Sequence, residues 1–508
     1  MQICLMSAFS DRATPQHLKP PTRQHLAEKR DRVRRYQSPR VERYVVNDTN
    51  IPGVDFDIGE SYAGLMPISN KPNEEQQLYF WYFVSSNRLA SNEILIWLNG
   101  GPGASSLEGL LQENGPWQFG TFKPVPNPWS WVEQPIGTGF TQGNASARFE
   151  EDVANQFLGF WRNFVDMFDL HGRDIYIAGE SYAGMYIPYL ANAIFTAHNY
   201  SYFNLQSTMM FDRLLNRNDV MRQVPALSFV CEWNNLLGLN KSFVGELERR
   251  DKACGYTQFL QDNLKYPPIG KLPPPPDHPK DSSADECGVW DAVIDATLLI
   301  NPCFDLYQIA TTCPLLWDAL RFTGTDQYLP VSAQVYFDQA DVKRAINAPQ
   351  VPWSSVSSKV IYNTTNGQSI EQSELRYSSL TVLPNVIERS KRTVIGHSDL
   401  GYILLRAGTL LTIQNMTWGG VQGFQAPPED DFFVPYHVDW SMATVAGAGI
   451  KGKTHTERNL TYFGIDGAGH MVPQYAPSAA FRGLEFLLGR ISSLSSTEPF
   501  TILSDGDL

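Results

Sequence analysis

The sequence predicts an α/β protein with a mostly parallel central sheet, helices on both faces of that sheet, and an inserted cap. Three observations point there. Residues 78–84 (LYFWYFV), 93–98 (EILIWL) and 174–179 (DIYIAG) are short runs rich in aromatic and β-branched side chains, the composition of strands. Residues 152–169 repeat apolar side chains at helical spacing through Val153, Phe157, Phe160, Trp161 and Phe164, which predicts a core-facing helix. Strand and helix patterns then alternate: DIYIAG is followed by a helical pattern that runs to Phe195 despite Pro188, and such alternation builds parallel sheets.

The 508 residues suit one large core with insertions, or two to three domains. With 43% hydrophobic and 18% charged residues the chain has the composition of a folded protein and lacks the polar, highly charged signature of disorder. A net charge of −13 argues against a nucleic-acid partner, since phosphate binding needs basic patches. No apolar run is long enough for a membrane span. The opening MQICLMSAFS lacks the charged start of a secretory signal, so no signal peptide is clearly present, and residues 1–43, polar and basic, read as a flexible arm or propeptide. Residues 44–200 are expected to form the first half of the core, 201–325 an inserted cap with a proline-rich loop (YPPIGKLPPPPDHP), and 326–508 the second half. In that last part VIERSKRTVIGH (386–397) and NLTYFGIDGAGH (459–470) each suggest a strand feeding a loop.

Cys231, Cys254, Cys287, Cys303 and Cys313 fall within about eighty residues, with no CxxC and no neighbouring histidine pattern, which suggests local disulfides with one thiol left over rather than a metal site. Four of them allow three pairings. Sequons at Asn47, Asn144, Asn199, Asn240, Asn363, Asn415 and Asn459 add to this, and together they favour the secretory pathway, secreted or vacuolar, with N-glycans.

The hexapeptide GESYAG occurs twice, at 59–64 and 179–184, offering Ser61 and Ser181 as nucleophiles. A serine presented between a strand and a helix on a tight turn needs small neighbours, and residues 174–190 supply both flanks. After Ser61 the chain reads LMPISNKPNEEQQ, where prolines and absent periodicity exclude a helix, so Ser61 is expected in a turn of an early strand pair.

Several motifs occur together: WLNGGPGASS (97–106), ENGP (113–116), VEQPIGTGF (132–140), GESYAG (179–184) and GAGHMVPQYAP (467–477). In order and wording they resemble the serine carboxypeptidases, fungal members in particular, over about residues 44–490. The resemblance implies an α/β-hydrolase fold and release of C-terminal residues from peptides through an acyl-enzyme, without metal or organic cofactor. Ser181 is then the nucleophile and His470 its base. The resemblance also implies Gly101 and Tyr182 as backbone donors to the oxyanion, Asn99, Glu113 and Glu180 as the group that holds the substrate's C-terminal carboxylate, and Met471 as a contact to the leaving residue. Glutamates hold a carboxylate only when they share protons, so cleavage is expected to be best at acidic pH.

Two departures stand out. The family places its catalytic aspartate in a Gly-His-x-x-Leu-Asp-Tyr run, and here the same register reads Gly396, His397, Ser398, Asp399, Leu400, Gly401, Tyr402, with glycine in the aspartate's place. Asp399 is a candidate substitute, though its tip would have to shift about 6–7 Å along an extended chain; Asp466 is a weaker one. The second departure is at 127–135, where NPWSW and VEQP are nearly fused, which is expected to shorten or remove a strand beside the active site. Three readings stay open: an active peptidase, a catalytically impaired peptide-binding descendant, or an acyltransferase of the same fold.

Overall fold

The computed structural model describes residues 34–501 except 48–49, 55–56, 86–89, 91, 116–128, 277–286, 316–317, 322–333 and 437–446. The expected flexible arm at 1–43 falls largely outside the described residues. Its centre is a ten-stranded mixed sheet. The strands are β1 (Ser61–Pro67), β2 (Gln77–Phe83), β3 (Glu93–Leu98), β4 (Trp129–Glu133), β5 (Asp174–Glu180), β6 (Asn204–Phe211), β7 (Arg392–Ser398), a separate hairpin of β8 (Thr417–Trp418) and β9 (Val421–Gln422), and then β10 (Asp430–Val434), β11 (Gly449–Glu457) and β12 (Leu460–Ile465). They lie in the order β1-β2-β4-β3-β5-β6-β7-β12-β11-β10.

From β4 to β12 every neighbouring pair is parallel, and the two flanks are antiparallel. β3, β5, β6, β7 and β12 are buried almost end to end, which is why β3, β5 and β12 read as continuous apolar runs rather than alternating ones. After β3 the chain goes to β4 on one side and returns for β5 on the other. The carboxyl ends of β3 and β5 therefore bound a topological switch point, the place where open α/β sheets bind their ligands.

The helices Glu150–Phe168 and Ala183–Ala197 contribute to the core on one face, and Pro477–Leu487 to the core on the other. All five aromatic and aliphatic positions expected to face the core from the first helix are buried. A third cluster joins the helices Val224–Leu237, Tyr256–Asn263 and Val289–Ile300 to Leu400, Tyr402 and Leu405. Disulfides Cys254–Cys287 and Cys303–Cys313 tie this region and leave Cys231 as an exposed thiol, resolving the pairing that the sequence left open.

Four expectations change. Residues 201–325 open with β6, a central strand, so the segment leaving the sheet starts only after Phe211. The first half of 386–397 belongs to the helix Leu383–Arg389, and the strand starts at Arg392. Ser61 lies in a strand rather than a turn: it opens β1, opposite Phe83, and its hydroxyl accepts from Trp81 Nε1 at 3.2 Å. The strand feared lost at 127–135 is present as β4, bridging β2 and β3. Among the described residues no helix is long and apolar enough to cross a membrane.

Candidate active site

Ser181 follows directly on β5 with φ +58°, in the left-handed region that a serine rarely adopts, and the helix Ala183–Ala197 begins two residues later. The turn is locked by its neighbours: Ser181 donates its N–H to Phe211 and its carbonyl accepts from Leu214 N–H, at 3.0 and 2.9 Å. Backbone strain of this kind is held where the surroundings over-determine it, commonly at functional sites. Gly100 explains why the NGGPG loop can lie against this turn. A Cβ there would meet Tyr182 N at 2.3 Å and Ser181 Cβ at 2.7 Å.

A cavity of about 190 Å³ opens at this point, lined by Asn99, Gly101, Glu108, Glu180, Ser181, Tyr182, Arg222, Tyr307 and His470, among others. It brings together the serine, the histidine and both expected oxyanion residues. Met471 is buried and is not among the lining residues, and Glu113 lies behind Asn99 rather than on the wall. Burial, helped by the Arg222 guanidinium, lowers the His470 imidazole to about 3. Both its ring nitrogens are buried without a hydrogen-bond partner among the described residues.

That orphaned ring faces the question posed by Gly401. A Cβ built on Gly401 would stand 3.3 Å from His470 N and 3.4 Å from its Cα, so the position does adjoin the histidine, yet carries no side chain. Asp399, the candidate substitute, instead accepts from Gly467 N–H at 2.8 Å, and burial raises its carboxyl to about 6. Asp212, at the end of β6, is also committed: it accepts from Ser398 N–H at 3.0 Å and lies 3.3 Å from His397 Nε2. No carboxylate among the described residues bonds to His470.

On the opposite wall Asn99 Nδ2 donates to Glu108 Oε2 at 2.9 Å and to Glu113 Oε1 and Glu180 Oε1, each at 3.1 Å, while its carbonyl accepts from Trp97 Nε1 at 2.6 Å. Three buried carboxyls crowd one amide, with oxygens within 4.8 Å of one another. Burial raises all three: Glu113 to about 7, and Glu108 and Glu180 well above the usual carboxylate range, with mutual repulsion adding to both. Such a cluster holds protons that a free carboxyl would have lost, so it can donate hydrogen bonds to an incoming carboxylate.

Sequence reasoning missed Glu108. The chain from Gly109 to Asn114 is a π-helix, whose repeat brings residues five apart onto one face, so Glu108 and Glu113 meet at Asn99. At the ordinary helical period they fall on different faces, and no signal marked the wider turn. Arg222 and Glu150 were also missed. Glu150 is buried at the start of its helix, is raised to about 7 by burial, and accepts from the hydroxyls of Tyr182 at 2.7 Å and Tyr362 at 2.8 Å, anchoring the residue after the serine.

The family model for serine carboxypeptidases matches residues 52–489. A probable serine carboxypeptidase of Arthroderma benhamiae is 53% identical over 476 residues, covering 90% of this chain and 88% of the relative. Serine-type carboxypeptidase F of Aspergillus niger is 40% identical over 465 residues, covering 88% and 87%. The crystal structure of a prohormone-processing carboxypeptidase from Saccharomyces cerevisiae superposes with a TM-score of 0.67 at 22% identity, covering 90% of this chain and 99% of that one, which places the fold among the α/β-hydrolases. With its fold, its motifs and its relatives in agreement, the chain belongs to the serine carboxypeptidase family.

Proposed function

We propose that this protein is a serine-type carboxypeptidase that releases C-terminal residues through an acyl-enzyme at Ser181, with its rate limited by the missing acid at Gly401. The observation that carries the reading is the single cavity shared by the strained Ser181, the buried His470 and the Asn99–Glu180 wall. Ser181 Oγ attacks the last peptide carbonyl as His470 takes its proton, and the N–H groups of Gly101 and Tyr182 receive the oxyanion. His470 then passes the proton to the leaving amine, which carries the C-terminal residue away. Water, deprotonated by the same histidine, frees the acyl group. Asn99 and Glu180 hold the substrate's C-terminal carboxylate through protons that the cluster shares, with Glu108 beside them and Glu113 behind Asn99.

Gly401 favours a second reading, a peptide-binding descendant whose chemistry is nearly lost. The two differ in rate, not in what they bind. Two disulfides, and sequon asparagines that are exposed at all seven positions except the half-buried Asn415, support passage through the secretory pathway with N-glycans.

The test is release of the C-terminal residue from a blocked dipeptide as a function of pH. His470 must be neutral to act, so kcat/KM rises with pH through about 3. The glutamate cluster must keep its protons, so KM rises as pH passes about 7, where Glu113 ionises, while kcat holds. A KM that stays flat from pH 5 to 9 would remove the carboxylate-binding role from this wall.

A further inference from the structure

Beyond helping to lower the His470 ring, Arg222 takes no step in the chemistry above, yet it lines the cavity together with Ser181 and His470. It is carried by Asp219–Gln223, a short π-helical turn ahead of the helix Val224–Leu237; such turns are rare and frequently mark functional sites. Two contacts fix its plane. Nε donates to the Ile403 carbonyl at 3.0 Å, and the guanidinium carbon lies 4.8 Å from the centre of the Trp290 ring. Neither contact neutralises the charge. The nearby acidic group on the cap, Asp291, accepts from Gln223 Nε2 at 3.0 Å instead, and no ion pair of Arg222 occurs among the described residues.

A largely buried guanidinium that Asp291 offsets only at a distance, without an ion pair, is costly, and its planar fork of donors matches a carboxylate closely. The remaining wall makes the direction of this demand clear. Glu108 and Glu180 line the same cavity, as does Tyr307. The protein supplies its carboxyls to Asn99 and leaves Arg222 for something that enters.

We propose that Arg222 binds a carboxylate of the peptide substrate and so sets which peptides the cavity prefers; this rests on the cavity being a peptide site. The carboxylate has two sources, an acidic side chain on the residue before the scissile bond, or the C-terminus itself, which Arg222 would then share with the Asn99–Glu180 wall.

Four peptides separate them: penultimate Glu or Gln, each as a free acid or a C-terminal amide. Their affinities are measured by calorimetry at pH 5 on the full chain carrying Ser181→Ala, so that none is consumed. Adding Arg222→Met is expected to weaken the peptides that bear the recognised carboxylate by about 10- to 100-fold and leave their neutral counterparts unchanged. Adding Arg222→Lys, which keeps the charge, is expected to retain part of the preference. A loss confined to free acids assigns the C-terminus; a loss confined to Glu peptides assigns the side chain. Equal losses for all four, or none, overturn the role of Arg222 while leaving the peptide site standing. Failure of every peptide to bind with Arg222 intact overturns the peptide site and this proposal with it.

Discussion

Replacing Gly401 by aspartate is expected to raise kcat/KM for C-terminal release by on the order of 10³ to 10⁴, the factor that serine hydrolases lose when the triad acid is disabled. The position is prepared for a side chain. Gly401 does not use a left-handed backbone, and the closest atom its Cβ would meet is the Ser398 hydroxyl at 2.9 Å, the end of a small rotatable side chain. A carboxylate there would extend from a Cβ 3.3 to 3.4 Å from the His470 backbone, and on reaching the ring, whose nitrogens are both unpartnered among the described residues, it would fix the tautomer and stabilise the imidazolium that forms when Ser181 loses its proton. It would also move the pH profile. A negative charge favours the protonated ring, so the His470 pKa rises from about 3 and the acid limb of kcat/KM moves upward with it. Gly401→Asn, of similar size and uncharged, is expected to give little of either effect. Profiles of the three proteins on one blocked dipeptide decide it; a gain below tenfold with an unmoved acid limb would sink the assignment.

Ser181→Ala is expected to cost only on the order of 10² in the natural chain but on the order of 10⁶ when combined with Gly401→Asp. Members of a triad act as a unit, and a chain already lacking one of them has little left to lose with the next. The proposed oxyanion donors and carboxylate-binding wall are untouched by both changes, so a residual rate is expected from them. The double-mutant cycle therefore reads the coupling between positions 181 and 401 directly. Equal losses in both backgrounds would mean that an aspartate at 401 does not join Ser181 and His470.

The parallel strands and the helix Glu150–Phe168 were legible because burial on both faces, and on one face, leaves a simple pattern in the chain. Choosing Ser181 over Ser61 was legible for a local reason, since only one copy of the motif has a helix-forming sequence behind it. What stayed hidden depends on where separate segments meet. Helix 383–389 was masked by its closeness to β7 and its short length. Glu108 needed a π-helical turn to reach Asn99. Arg222 needed the segment that leaves the sheet after β6 to bring it to the cavity. Asp399 lies two residues from position 401 in the sequence, and its hydrogen bond to Gly467 is a feature of two loops that no spacing rule contains.

The central claim is that Ser181 is a nucleophile served by His470 without a third group. Labelling by an active-site phosphonate, followed by mass spectrometry over time, tests it most directly. The account predicts modification at Ser181 alone, slow in the natural chain and faster by orders of magnitude in Gly401→Asp. Modification elsewhere, or an equally fast reaction in both proteins, would contradict it.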